Sequence, residues 1–163
     1  MDALEALRTR RSIRSFKPDT VPAELVEQII DCGRLAATAR NVQPWEFVVV
    51  TDARLRKQIA QISEYGKFIE YSPVCIVVLC ADTKYFLEDG SAATQNILVA
   101  AHAVGLGSCW VAGDKKNYAP EICKLVGAPP DLKLISLVAI GYTAEEKPIR
   151  KRDLKEVIHW EQF

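Results

Sequence analysis

The sequence has no net charge, because its 21 Lys and Arg residues balance its 21 Asp and Glu residues. A neutral chain has no general attraction for polyanions, so we do not expect nucleic acid as a partner. The sequence also lacks any apolar run of the roughly 18 or more residues that a membrane-spanning helix needs. Its N-terminus lacks the basic and apolar regions of a secretory signal peptide. These absences predict a soluble, cytoplasmic protein with no membrane partner.

Cysteine and histidine are also scarce. The five cysteines are an odd number, form no C-x-x-C pair and lie mostly in apolar runs, which is typical of small buried side chains in a reducing compartment. The two histidines, His102 and His159, are far apart and have no metal-ligand spacing, so we expect no metal site. Neither is placed to activate a Ser or Cys nucleophile, and no P-loop or dinucleotide-binding glycine pattern is present.

The pattern of apolar residues predicts helices and strands in a mixed order. Helices are expected near residues 2–10, 22–37, 53–62, 89–104, 120–126 and 154–160, and strands near 45–50, 74–80, 109–112 and 134–140. The unbroken apolar run 74–80 predicts the centre of the sheet, covered on both faces. With 163 residues and no linker, the sequence predicts one domain, 1–163, of the α/β or α+β class.

Two basic clusters stand out in the otherwise neutral chain. Residues 8–17 contain five basic residues and no acidic one, and residues 147–155 contain five more with one acid, Asp153. Arginine offers a planar fork of donors that matches phosphate oxygens, so the clusters could bind one phosphate group. A solvated charged face is the alternative. A phosphate site without an acid–base constellation favours a cofactor that carries its own chemistry.

Four sequence blocks occur in a particular order. The first is Arg10–Arg14 with Phe16, and the second is Asn41-Val42-Gln43-Pro44-Trp45. The third joins Gln95–Ala101 to Gly105–Trp110, and the fourth runs from Gly141-Tyr142 through residues 147–152 to 154–157. Together they resemble the nitroreductase family in its short form.

This resemblance implies an α+β, nitroreductase-like fold with a central mixed or antiparallel sheet flanked by helices. It also implies a homodimer with one FMN at each interface. NADH or NADPH would deliver a hydride to FMN N5, and a small electron-poor acceptor such as a nitroaromatic or quinone would then take it in a ping-pong cycle. The alternatives are the same fold acting on an enone, free flavin or a dehalogenation substrate, and a non-catalytic flavin sensor.

The resemblance also implies which residues contact the cofactor. Arg10, Ser12 and Arg14 would hold the phosphate together with Arg150 or Arg152, and the Asn41 loop would reach the flavin of the other subunit. Lys67 or nearby amides would favour negative charge on the reduced ring, and the Gly113 N–H would point at N5. No catalytic side chain is expected. The complete cofactor-binding set is Arg10, Arg11, Ser12, Arg14, Thr38, Asn41, Gln43, Lys67, Trp110, Val111, Ala112, Gly113, Arg150 and Arg152.

Overall fold

The computed structural model describes residues 1–144 and 150–163. In this part of the chain, five helices and four strands follow one another as α1 (Ala3–Thr9), α2 (Ala23–Arg34), β1 (Trp45–Val50), α3 (Ala53–Ile62), β2 (Val74–Ala81), α4 (Phe86–Ala103), β3 (Gly107–Ala112), α5 (Ala119–Leu125) and β4 (Leu132–Gly141). Short 3-10 turns lie at Ala39–Asn41, Lys67–Tyr71 and Leu154–Glu156. The four expected strands and the first five expected helices are therefore confirmed.

The four strands form one sheet in the order β1-β2-β4-β3, and each neighbouring pair is antiparallel. Val77 in β2 lies opposite both Val48 in β1 and Leu137 in β4. The expected mixed or antiparallel sheet is thus antiparallel, with β2 and β4 in the centre and β1 and β3 at the edges. This α+β architecture agrees with the predicted fold class.

Helices cover both faces of the sheet, and β2 shows how the two cores form. Its Ile76 and Val78 pack on the side of α2 and α4, whereas Cys75, Val77 and Leu79 pack on the side of α3 and α5. Side chains alternate between the two faces of a strand, so both faces must be apolar when both are covered. Burying each large aliphatic side chain contributes about 1.5–3 kcal/mol.

Some expected boundaries, and one expected helix, differ from the structure. Helix α2 ends at Arg34 rather than near residue 37, and Leu35 is exposed. The expected helix 154–160 is wrong, because only the 3-10 turn Leu154–Glu156 forms there. A helix that short is marginal without packing, and Trp160 is exposed rather than covered. None of the helices in the described ranges has the length and apolarity to cross a bilayer.

Candidate functional site

Residues 10–17, which we call the clamp segment, are bound to the ends of β3 and β4. The Ile13 N–H donates to the Ser108 carbonyl at 2.9 Å, and the Lys17 N–H donates to the Tyr142 carbonyl at 2.9 Å. Gly107 makes this approach possible, since a Cβ there would lie 2.9 Å from the Cβ of Ile13. The first basic cluster is therefore fixed against the open edge of the sheet and is not a freely solvated run.

Arg10 and Arg11 use their side chains differently. Arg11 Nη1 donates to the carbonyls of Arg8 and Arg10, at 2.9 and 2.8 Å. Arg10 Nη1 is buried, and no residue within 1–144 or 150–163 accepts a hydrogen bond from it. A buried donor without a partner is costly, and an anion is the natural acceptor for a guanidinium. Arg10 therefore marks a place that a phosphate group would complete.

A cavity of about 430 Å³ lies beside the clamp segment. Four of the expected cofactor-binding residues line it, namely Arg14, Trp110, Val111 and Ala112. The Arg14 guanidinium lies 5.9 Å from the centroid of the Phe68 ring, which forms part of the wall. The remaining lining residues are Tyr65, Cys109, Lys116 and Tyr118.

A larger cavity of about 830 Å³ lies beside α5. Pro120, Cys123 and Lys124 of that helix line it, together with Pro129 of the following turn. None of its described lining residues belongs to the expected cofactor-binding set. We therefore assign the candidate site to the smaller cavity, because that cavity combines an arginine of the clamp segment with β3.

In the structure the Gly113 N–H has a partner within the sheet. Its N–H donates to the Ile135 carbonyl at 3.0 Å and so continues the pairing of β3 with β4. A Cβ at this position would lie 2.6 Å from Leu134 Cγ. Glycine is therefore required here by packing, and its N–H is not free for an external acceptor.

The open edge of β3 offers other backbone donors. Within a strand, the N–H and C=O of one residue point to the same side, and the side alternates along the chain. The Ser108 carbonyl accepts from the clamp segment and the Ala112 carbonyl accepts from the Tyr118 hydroxyl, so both point away from β4. By the same alternation the N–H groups of Trp110 and Ala112 point toward the open edge. Those two groups face the side on which the cavity lies.

Lys67 lies outside the described lining of the cavity. Its Nζ donates to the carbonyls of Ala60 and Gln61 at the end of α3, at 3.1 and 2.9 Å. Lys116 is the lysine of the cavity wall instead, with its Nζ 3.4 Å from Glu64 Oε2 and 4.8 Å from the centroid of the Tyr65 ring. Sequence reasoning missed Lys116 because it lies in a polar turn with no local signal.

Residues 38–43, which we call the flavin loop after the role that the resemblance implies for Asn41, are not among the residues that line the cavity. The Thr38 hydroxyl donates to Asp89 Oδ2 at 3.0 Å and accepts from the Gln43 N–H at 3.1 Å. Asn41 has a positive φ of 56°. Within one protomer, the structure therefore does not bring Thr38, Asn41 and Gln43 together with Arg14.

Residues 150–163, the C-terminal segment, carry the second basic cluster. Arg150 Nη2 lies 3.5 Å from Asp153 Oδ2, and Arg152 Nη2 donates to the Glu156 carbonyl at 2.7 Å. Both arginines are largely exposed and their recorded partners are local. Lys147 of the same cluster lies outside the described residues.

Burial favours the neutral forms of two thiols and one tyrosine near the sheet. Burial raises the pKa of the Cys75 and Cys80 thiols to about 12. Burial and the nearby Glu64 raise the pKa of Tyr118. Among the described residues, no cluster of His, Cys, Asp or Glu is arranged to bind a metal ion. The arrangement can bind an anionic group and present backbone donors, and its chemistry would have to come from a cofactor.

Comparison with known proteins points to one family. The model of the nitroreductase family matches residues 7–66 and 64–142. A protein of Methanothermobacter thermautotrophicus, provisionally named an NADH dehydrogenase/NAD(P)H nitroreductase, is 34% identical over 169 aligned residues. The alignment covers 100% of this chain and 88% of that protein.

Solved structures give the same result. A protein of Bacteroides thetaiotaomicron with the same provisional name superposes with a TM-score of 0.94 at 32% identity, over 99% of this chain and 98% of that one. A provisionally named nitroreductase from Desulfovibrio desulfuricans, solved in complex with FMN, superposes with a TM-score of 0.88 at 30% identity. That match covers 100% of this chain and 98% of the other.

Proposed function

The chain belongs to the nitroreductase family, and we propose that this NAD(P)H-dependent FMN oxidoreductase reduces nitroaromatic, quinone or similar electron-poor acceptors by a ping-pong mechanism. The observation that carries the proposal is the buried and unsatisfied Arg10 Nη1 in a segment fixed beside β3. Within the described ranges it is a buried charged donor with no protein acceptor. The phosphate of FMN would supply the acceptor that this nitrogen needs.

The described residues fit FMN at both of its ends. Arg10 and Arg14, with the Ser12 hydroxyl, would bind the phosphate. The outward N–H groups of Trp110 and Ala112 would donate to the flavin ring, and the Ala112 N–H takes the place that we first expected for Gly113. Bound FMN would supply the redox chemistry, the transfer of a hydride from NADH or NADPH to the acceptor. The residues around it bind and orient, and none needs to act as an acid or base.

Positive charge at the cavity wall would stabilise the reduced cofactor electrostatically. Lys116 lines the cavity and is held by Glu64 and Tyr65, whereas Lys67 is bound to carbonyl groups of α3. A fixed charge that needs no reorganisation stabilises charge developing beside it. We keep Lys67 in the candidate set because a partner subunit could change its surroundings.

We also propose that the protein works as a homodimer with FMN at the interface. The flavin loop lies apart from the cavity of its own protomer, and the C-terminal segment exposes a series of large apolar side chains. These side chains are Leu154, Val157, Ile158, Trp160 and Phe163. Contiguous exposed apolar groups mark surfaces that other proteins cover. A second copy of the chain would cover them and bring Asn41 and Gln43 to its flavin.

Two aromatic side chains line the cavity in which the acceptor would bind. Tyr65 and Phe68 give the cavity an aromatic wall, which suits flat, electron-poor compounds. An enone, free flavin or a dehalogenation substrate would fit the same description. A panel of these acceptors, assayed anaerobically with NADH and with NADPH, ranks them by kcat/KM. Cytoplasmic location and the single domain 1–163 remain predictions from the sequence.

Colour provides the first test. The purified protein is expected to be yellow and to bleach anaerobically when NADH or NADPH is added. Flavin that binds but never bleaches would favour a flavin sensor. Colourless protein that cannot be loaded with FMN would contradict both the enzyme and the sensor.

The arginines of the clamp segment provide the second test, through their effect on the affinity for FMN. Arg10→Ala and Arg14→Ala each remove a charged donor to phosphate, so the dissociation constant for FMN is expected to rise about 10- to 100-fold. Titration of FMN fluorescence measures it. Arg54→Ala, an exposed arginine on α3, is the matched control and should bind like the wild type. Unchanged affinity in both clamp variants would remove the clamp segment from the site.

A further inference from the structure

Asp89 is a buried carboxylate that the proposed chemistry does not use. It is 5% exposed and lies in the first turn of α4. Its carboxylate accepts two hydrogen bonds, from the Thr38 hydroxyl to Oδ2 and from the Ala39 N–H to Oδ1, each 3.0 Å long. These are its recorded partners in the described part of the chain. Burial of a charge is tolerated only with such partners, so both bonds matter.

The backbone beyond these contacts is in an unusual conformation. Arg40, Asn41 and Gln43 have φ values of 55°, 56° and 53°, in the left-handed region that residues with a Cβ rarely adopt. Three such residues within four positions persist only where surrounding contacts enforce them. Both ends of this stretch are linked to the Asp89 carboxylate. At one end the Ala39 N–H donates to it directly. At the other end the Gln43 N–H donates at 3.1 Å to Thr38 Oγ1, whose hydroxyl donates to the carboxylate.

The charge of the carboxylate strengthens both bonds, and its position in α4 stabilises that charge. Charge-assisted hydrogen bonds are stronger than neutral ones, and a negative charge in the first turn of a helix interacts favourably with the helix dipole. Asp89 is itself fixed, because its N–H donates to the Tyr85 carbonyl at 2.9 Å. A chain of hydrogen bonds therefore joins Asp89 of helix α4 to Thr38 and, through the Thr38 hydroxyl, to Gln43.

We propose that Asp89 is a positioning residue that holds the flavin loop in the shape that presents Asn41 and Gln43 to the flavin of the partner subunit. This inference rests on the proposed function. Asp89 does not touch the cofactor, and it acts through Thr38 and Ala39. Its defect must therefore appear in the site of the other subunit, which distinguishes positioning from a general loss of stability.

The test uses a mixed dimer with complementary defects. One subunit carries Arg10→Ala and the other carries Asp89→Asn, and two different affinity tags isolate the mixed species. If Asp89 acts across the interface, one of the two sites combines an intact clamp segment with an intact flavin loop. The other site carries both defects. The mixed dimer should therefore bind one FMN with wild-type affinity, measured by fluorescence titration.

Each homodimeric variant should bind FMN about tenfold more weakly or worse, since each loses hydrogen bonds to a charged group. Glu88→Gln, an exposed acid next to Asp89, is the matched control and should bind two FMN per dimer normally. If Asp89→Asn fails to yield a folded dimer, the same mixture is made with Asp89→Glu. That variant retains the charge and displaces the carboxylate by one methylene group.

The outcomes separate this inference from the proposed function. Two weak sites in the mixed dimer, or wild-type affinity in the Asp89→Asn homodimer, would overturn the role of Asp89 and leave the oxidoreductase intact. Wild-type protein that binds no FMN would instead overturn the proposed function. A double variant, Asp89→Asn with Thr38→Val, should be no weaker than the weaker single variant if Asp89 acts through Thr38.

Discussion

The clamp segment and the C-terminal segment both carry arginines expected at one phosphate, yet the chain treats them in opposite ways. The clamp segment is bonded through its backbone to β3 and β4, and Arg10 Nη1 is buried. The C-terminal segment is exposed, and Arg150 and Arg152 contact only nearby acids and carbonyls among the described residues. If both sets bind the same phosphate, the arginines of the clamp segment are held in place within a single protomer, whereas those of the C-terminal segment would need a surface outside it.

This difference predicts that the clamp segment mainly affects the affinity for the phosphate, whereas the C-terminal segment depends on dimerisation. A donor fixed against the sheet loses little conformational freedom when an anion binds, so most of its interaction energy appears as affinity. A donor on an exposed segment must first be ordered, and dimerisation would supply that order. The largest expected effects therefore lie in the rigid part, and the smaller ones depend on the second subunit or on charge.

In the rigid part, which comprises the clamp segment and the strands that hold it, we expect the stability of the fold to be most sensitive at Gly113, directly after β3. Replacing it with alanine would place a Cβ 2.6 Å from Leu134 Cγ and 2.9 Å from the Ile135 carbonyl oxygen. Backbone cannot move aside as a flexible side chain can, so we expect a loss of at least about 1–3 kcal/mol of unfolding free energy. Chemical denaturation measures it.

Gly127→Ala is the matched control for Gly113. Gly127 has a positive φ of 69°, but a Cβ added there would meet no atom within 4 Å. The cost of this substitution is therefore only that of the left-handed backbone, about 1–2 kcal/mol. If Gly113→Ala were as stable as the wild type, the end of β3 would not be tightly packed. The contrast between a rigid clamp segment and an exposed C-terminal segment would then lose its basis.

The exposed part is most sensitive at Trp160, which is 78% exposed in the protomer. If the C-terminal segment covers a second copy, Trp160→Ala removes a large interface side chain. The dimer dissociation constant should then rise about 30-fold, corresponding to about 2 kcal/mol at an aromatic hot spot. Sedimentation or light scattering over a dilution series measures this change.

Tyr71→Ala provides the control for Trp160. Tyr71 is 69% exposed, and it lies in the 3-10 turn Lys67–Tyr71 instead of the C-terminal segment. We expect its dimer dissociation constant to match that of the wild type. Equal values for both variants would show that the C-terminal segment plays no part in assembly.

The same contrast explains what the sequence could predict. Strand β2 and the cap of α3 follow from local patterns, because an apolar run and Asp52 before a helix each act within a few residues. The Asp52 carboxylate does accept from the Leu55 N–H at 2.8 Å. The positive φ of Gly105, 85°, likewise follows from its place after a helix.

The errors come from information that is not local. Which N–H groups near the end of β3 face outward depends on its pairing with β4, so the sequence alone could not distinguish the Ala112 N–H from the Gly113 N–H. Asp89 gave no signal because its partner Thr38 lies in a distant part of the chain. The helix expected at 154–160 has an apolar pattern but no core of its own to cover it.

The smallest effect concerns His102, which joins α4 to the residue before the clamp segment. Its Nε2 lies 2.8 Å from the Thr9 hydroxyl oxygen. Burial lowers the pKa of His102, and the charges of Arg10 and Arg11 lower it further. The folded protein therefore resists protonation at pH values where the unfolded chain, with a His pKa of about 6.5, already binds a proton. Between the lowered pKa and that value, the unfolding free energy rises with pH.

His102→Gln should abolish this part of the pH dependence, measured as denaturation midpoints of FMN-free protein between about pH 5 and 7.5. Saturating FMN should also flatten the wild-type slope, because a phosphate beside Arg10 offsets the positive charge that now disfavours protonated His102. An equal slope with and without FMN would mean that the phosphate binds away from Arg10. The clamp segment would then lose the role that distinguishes it from the exposed segment.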